Sequence, residues 1–150
     1  MKLKINKYIK NLLLRIANYN FRKGYFKKAE YIFYILYIFR LYDEIILLNF
    51  GITLFRNERI YKSKKIFKKL IKLHSNNFES YYYLANIYYL ESNTAKAKKY
   101  LLKAIEINPL LSKAYSKLSL IYQKEGLYKL SLLYINRSNE IEPNNNIYKL

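Results

Sequence analysis

The apolar positions of this chain come in short stretches broken by charge. The run Tyr31–Phe39, YIFYILYIF, holds nine uncharged residues between Glu30 and Arg40. Nine residues of helix extend about 13 Å, whereas a membrane span takes about 20 apolar residues. The run is less than half a span, so it asks for a packing role. The pattern around it recurs. Residues 80–109, SYYYLANIYYLESNTAKAKKYLLKAIEINP, align without a gap on residues 114–143, AYSKLSLIYQKEGLYKLSLLYINRSNEIEP, and Pro109 and Pro143 are 34 residues apart. The same step carried backwards gives units starting at Lys10, Glu44, Phe78 and Ser112. Two helices per unit predict eight helices, over 10–23, 26–40, 43–57, 60–74, 78–91, 94–107, 112–125 and 128–141.

Small residues and helix breakers fit the 34-residue frame. Unit position 8 reads Ala17, Gly51, Ala85 and Ser119, and position 20 reads Ala29, Ser63, Ala97 and Ser131. Helices that cross at about 8–10 Å need small side chains where they touch. Gly24 and Gly126 both fall at position 15, between the two helices, where a left-handed backbone is expected. Both prolines fall at position 32, ahead of the next pair, where no interior backbone donor is lost. A generic helical bundle would not repeat at this period.

The residues at fixed offsets carry a resemblance. The last unit has Tyr115, Leu118, Ser119, Tyr122, Ser131, Ile135 and Pro143, and the third has Tyr81, Leu84, Ala85, Tyr88, Ala97, Leu101 and Pro109. The second offers Leu47, Phe50, Gly51, Leu54, Ser63 and Phe67 with Ser75 in place of Pro, and the first Leu13, Ile16, Ala17, Ala29 and Phe33. This resembles the tetratricopeptide repeat, an aromatic followed by Leu-small, Tyr, small-x3-aromatic and Pro. The resemblance implies an all-α solenoid of four helix-turn-helix units with a concave and a convex face. It divides the chain into an extension at 1–9, an array at 10–145 (units 10–43, 44–77, 78–111 and 112–145) and a tail at 146–150. Position 28 faces the following unit in this family. It reads Tyr37, Ile71, Ile105 and then Asn139, so the array is expected to end with the fourth unit, leaving Leu132 and Leu133 partly bare.

The family's partner groove is lined by positions 2, 5, 6, 9, 12 and 13 of each first helix. The resemblance thus implies Asn11, Arg15, Asn18 and Arg22 in the first unit, with Asn49, Phe55 and Arg56 in the second. Tyr82, Tyr83, Asn86 and Tyr89 follow from the third, and Lys113, Lys117, Gln123 and Lys124 from the fourth. Amides of this kind hold an extended peptide backbone, and the cations favour acidic side chains or a terminal carboxylate. The carboxylate clamp of chaperone-tail receptors is not supported. Read from the first unit its positions hold Leu14, Asn18, Asn49, Glu79 and Tyr83, of which only the two Asn match. Read from the second they hold Leu48, Ile52, Tyr83, Lys113 and Lys117, of which only Lys113 matches outright.

Composition adds charge to this picture and removes chemistry from it. The formal net charge is +18, which suits an anionic partner, although abundant Lys, Asn, Ile and Tyr together are also what an AT-rich coding sequence produces. The chain has no Cys and a single His, His74, placed near a helix end where a cation suits the dipole. Asp43 and Glu44 read as an N-cap and a first-turn acid. No metal cluster, phosphate-binding Gly-rich loop or nucleophile–base set can be assembled, so no enzyme activity, cofactor or metal is expected. The basic N-terminal stretch is interrupted by Arg15 and lacks the pattern of a secretory signal, so a cytoplasmic protein starting at Met1 is expected. The function expected is a scaffold for another protein or acidic peptide. The alternative is RNA, with Tyr82, Tyr83 and Tyr89 stacking bases beside Lys and Arg.

A second surface stands out on the convex side, at positions 22, 25, 26 and 29. These are Lys65, Lys68, Lys69 and Lys72 in the second unit, but Tyr31, Tyr34, Ile35 and Ile38 in the first. Such a patch marks an interface with a partner, a membrane surface or a second copy of the chain, unless residues 1–9, through Leu3, Ile5, Tyr8 and Ile9, fold over it.

Overall fold

A computed structural model describes residues 7–143 and contains eight helices among them. They are α1 (Lys7–Arg22), α2 (Phe26–Ile38), α3 (Glu44–Arg56), α4 (Ile60–Leu73), α5 (Phe78–Leu90), α6 (Thr94–Ile107), α7 (Ser112–Lys124) and α8 (Tyr128–Ile141). The described residues form no strand. The largest departure from the expected boundaries is α1, which is already helical at Lys7, the first described residue and three residues ahead of Lys10. Tyr8 and Ile9 therefore lie in its first turn as exposed residues, while Leu3 and Ile5 fall outside the described residues.

The chain divides into two compact units, Met1–Ser75 and Asn76–Leu150. In the first, the hairpins α1–α2 and α3–α4 pack around Phe33, Leu36, Ile46, Leu47, Phe50 and Leu70. Where the second hairpin's helices cross, Ser63 Oγ donates to the Gly51 carbonyl at 2.9 Å and Phe67 lies against Gly51. In the second unit, the hairpins α5–α6 and α7–α8 pack around Ala85, Tyr88, Leu101, Ala114, Leu118 and Ile121. Its crossing points are Ala85 with Ala97 and Ser119 with Ser131, whose hydroxyls are 3.0 Å apart. The small residues at positions 8 and 20 thus let each pair close, as the sequence required.

All four hairpin turns use one geometry. Position 15 is left-handed throughout: Gly24 at φ 75°, Glu58 at 60°, Ser92 at 58° and Gly126 at 74°. The amide after it reaches back to the carbonyl five residues earlier, as in Tyr25 N to Asn20 O (2.8 Å) and Arg59 N to Leu54 O (2.8 Å). That closes the orphan carbonyls of the first helix. A side chain in this conformation costs about 1–2 kcal/mol. Glu58→Gly and Ser92→Gly are therefore each expected to raise stability, by about 0.5–1 kcal/mol once the greater freedom of Gly in the unfolded chain is deducted. Urea melts followed by circular dichroism check this; lower midpoints would contradict it.

Candidate functional site

Asp43 caps α3 by accepting from Ile46 N at 3.0 Å, and Asn77 caps α5 by accepting from Ser80 N at 2.8 Å. These caps fix where each first helix begins and so which of its side chains share a face. In the first unit, Asn18 of α1 and Asn49 of α3 meet: Asn49 Nδ2 donates to Asn18 Oδ1 at 3.1 Å. Arg15, Asn18 and Arg22 line an open depression along α1 with Leu12, Ile16 and Tyr19, and Asn11 is exposed one turn before. Phe55 is half-buried in the same unit. Arg56 lies elsewhere, in a depression shared with Lys27, Glu30, Tyr31, Tyr34, Arg59 and Lys62.

The second unit is more concentrated. Tyr82, Asn86 and Tyr89 share one face of α5, with Tyr83 edge-on to Tyr82 at 5.6 Å between centroids. Asn86 Nδ2 donates to the Tyr82 carbonyl of its own helix at 2.9 Å. From α7, Lys117 Nζ and Lys124 Nζ approach the Tyr89 ring, at 5.2 and 5.1 Å from its centroid. Two ammonium groups thus converge on one aromatic ring, a cation–π arrangement. It leaves a doubly positive, partly apolar patch. Lys113 and Gln123 are exposed on the same helix.

Several features escaped the sequence reading. In the second unit three tyrosines pack together twice at the repeat spacing. Tyr100 stacks on Tyr88 at 5.2 Å and meets Tyr81 at 6.1 Å, and Tyr134 stacks on Tyr122 at 5.3 Å and meets Tyr115 at 6.3 Å. Tyr recurring at a step of 34 was the available signal. In the first unit, Lys69 Nζ lies over the stacked rings of Tyr37 and Tyr42 and donates to Tyr42 Oη at 2.6 Å. Burial acts against its charge, but the two phenol oxygens outweigh it and the ammonium pKa ends above the ordinary lysine value. His74 caps α4, and its Nδ1 lies 3.4 Å from Glu44 Oε2.

Burial, with their stacked neighbours adding to it, holds the Tyr100 and Tyr134 phenols above the ordinary tyrosine pKa. A raised folded pKa gives stability that is full below the unfolded value of about 10 and is lost as pH rises through the folded one. The Tyr100→Phe/Tyr134→Phe variant is expected to lose less stability between about pH 9 and pH 11 than the parent chain. Urea midpoints at the two pH values decide it; equal losses would count against the shifts.

Among the described residues no group of three or more His, Cys, Asp or Glu is placed to hold a metal. Nor is any described helix long and apolar enough to cross a membrane.

Comparison with known proteins agrees with this geometry. Residues 78–111 and 112–145 each match a family model for the tetratricopeptide repeat. No curated protein sequence is significantly similar to the chain. Among solved structures, a crystal structure of MamA is similar with a TM-score of 0.81 and 20% identity, over 93% of this chain and 81% of that one. MamA 41-end from Desulfovibrio magneticus RS-1 gives 0.80 at 15% identity, over 93% and 79%. YrrB, described as a TPR protein with an unusual peptide-binding site, gives 0.77 at 15% identity, over 91% and 70%. At these identities the likeness is one of fold, and the fold class is an α-solenoid of paired helices.

Proposed function

Because this chain is a tetratricopeptide repeat protein, with the sequence signature over 78–145 and the same hairpin geometry in residues 7–75, we propose that it is a cytoplasmic, non-enzymatic scaffold that binds an acidic peptide segment of another protein. The observation that carries the acidic preference is the convergence of Lys117 and Lys124 on Tyr89. The ammonium groups of the half-buried Lys117 and the exposed Lys124 recruit carboxylates, while the tyrosine ring offers apolar contact to the segment between them. Tyr82 and Asn86 extend the same face along α5 and supply further contacts. In the first unit, the Asn18–Asn49 pair with Arg15 and Arg22 offers amide and cationic contacts of similar kind. YrrB provides the analogy for peptide binding on this fold, at the level of fold alone.

The test titrates the chain into two fluorescent probes at physiological salt, an extended peptide rich in Glu and Asp and a mixed-sequence single-stranded RNA. The peptide is expected to bind in the micromolar range while RNA is not retained. RNA bound more tightly, with an affinity that falls steeply with salt, would replace this reading with the nucleic-acid one.

A further inference from the structure

The outer face of α2 carries a stripe of large side chains, three of them exposed and the fourth, Ile35, half-buried. Tyr31, Tyr34, Ile35 and Ile38 follow at i, i+3, i+4 and i+7, so they lie in one row. Tyr31 is 69% exposed, Tyr34 52% and Ile38 50%, while Phe33 and Leu36 take the core side of the helix. Phe39, next after α2, is also exposed. At the corresponding positions α4 presents Lys65, Lys68, Lys69 and Lys72. Selection for solubility alone gives the α4 pattern and not the α2 one.

The surroundings of the stripe are cationic. Tyr31 and Tyr34 line an open depression with Lys27, Arg56, Arg59 and Lys62. Of its two acids, Glu30 accepts a hydrogen bond from Asn57 Nδ2 at 2.6 Å, and Glu58 stands on the left-handed turn. Lys28 lies one turn before Tyr31, and Arg40 follows Phe39. A second copy of the chain would bring the same cations against one another in a protein of net charge +18. The charge therefore favours an anionic occupant. The apolar part is a single convex row with Tyr at one end and Ile at the other, which suits a planar surface. Tyrosine belongs at the headgroup level, where its ring is buried and its hydroxyl stays wet, and Lys and Arg reach outward to lipid phosphates.

We propose that the outer face of α2 docks the protein on an anionic lipid bilayer. Ile35 and Ile38 enter the acyl boundary, Tyr31 and Tyr34 lie among the headgroups, and Lys27, Arg56, Arg59 and Lys62 hold lipid phosphate in the depression beside them. This is attachment to a surface and needs no spanning helix. It draws on none of the residues of the peptide face on α5 and α7.

Co-sedimentation of the full chain with vesicles tests it, using phosphatidylcholine alone and phosphatidylcholine with about one-third phosphatidylserine. Binding is expected to the anionic vesicles at low salt and to be at least about tenfold weaker on the neutral ones. Two variants separate the contributions. Arg59→Gln/Lys62→Gln keeps the apolar row and is expected to bind anionic vesicles about tenfold or more weakly. Tyr31→Ser/Tyr34→Ser/Ile38→Ser keeps the cations, and its residual binding is expected to vanish at physiological salt, where the parent retains some. All the altered side chains except Lys62 and Arg59 lie on the exposed face of α2, and those two are exposed as well, so each variant should keep the parent's circular dichroism. Failure of the parent to sediment with anionic vesicles overturns the proposal. So does binding that ignores both variants, which would place the lipid contact elsewhere on a basic surface. A concentration-dependent dimer abolished by the Ser variant, without vesicle binding, would assign the row to a second copy instead.

Discussion

Replacing Phe67 with Ala is expected to lower the unfolding free energy by about 3–5 kcal/mol, the usual range for emptying a buried aromatic site. Phe67 is fully buried, on the inner face of α4. Its ring sits so close to the α3 backbone that a Cβ at Gly51 would lie 2.7 Å from its Cε1. The space it fills is bounded by backbone on that side, and backbone does not collapse into a cavity as side chains do. A domain of this size holds roughly 5–15 kcal/mol in total. The substitution should therefore leave the first unit marginal, while Leu132→Ala, at a site 60% exposed, changes stability by no more than about 0.5 kcal/mol. Urea unfolding followed by circular dichroism measures both. Equal, small effects would mean that the α3–α4 crossing is not packed as described.

The second large effect is on binding. Reversing both charges of the α7 pair, in Lys117→Glu/Lys124→Glu, is expected to weaken the acidic peptide by roughly 30-fold or more at low salt. Each exposed ion pair contributes up to about 1 kcal/mol, and reversal turns attraction into repulsion. Adding salt should narrow the gap between parent and variant, because screening acts on exposed charges beyond about 10 Å at 0.1 M. Tyr89→Phe keeps the ring that both ammonium groups approach and should bind almost as the parent does, while Tyr89→Ala removes the apolar contact and the platform together. Peptide affinity by fluorescence anisotropy reads all three. If the double reversal leaves affinity unchanged, the acidic preference of this face is wrong.

Much of the fold was legible because the period of the chain is a property of sequence. Small residues at positions 8 and 20 mark where backbones meet, and Gly24 and Gly126 mark the turns. The left-handed turns at Glu58 and Ser92 could be inferred only by carrying those glycines across the repeat, since neither residue type announces the conformation.

The candidate site was legible as a set of positions but not as a set of contacts. That Asn18 and Asn49 pair with one another, and that Lys117 and Lys124 share one tyrosine ring, depends on helix–helix distances. Arg56 shows the same limit. Its position in the unit assigned it to the peptide groove, yet it lines the depression beside Tyr31 and Tyr34 because the last turn of α3 faces the outer side of α2 there.

The sequence by itself determined the eight helices, their pairing into hairpins, the small residues at positions 8 and 20 and the contrast between the lysines of α4 and the aromatic row of α2. These follow from periodicity and side-chain volume, which are local quantities. Only the tertiary structure decided which polar groups satisfy each other, which tyrosines stack and where cations gather, because these depend on separations of a few ångströms between elements that the chain's order does not encode.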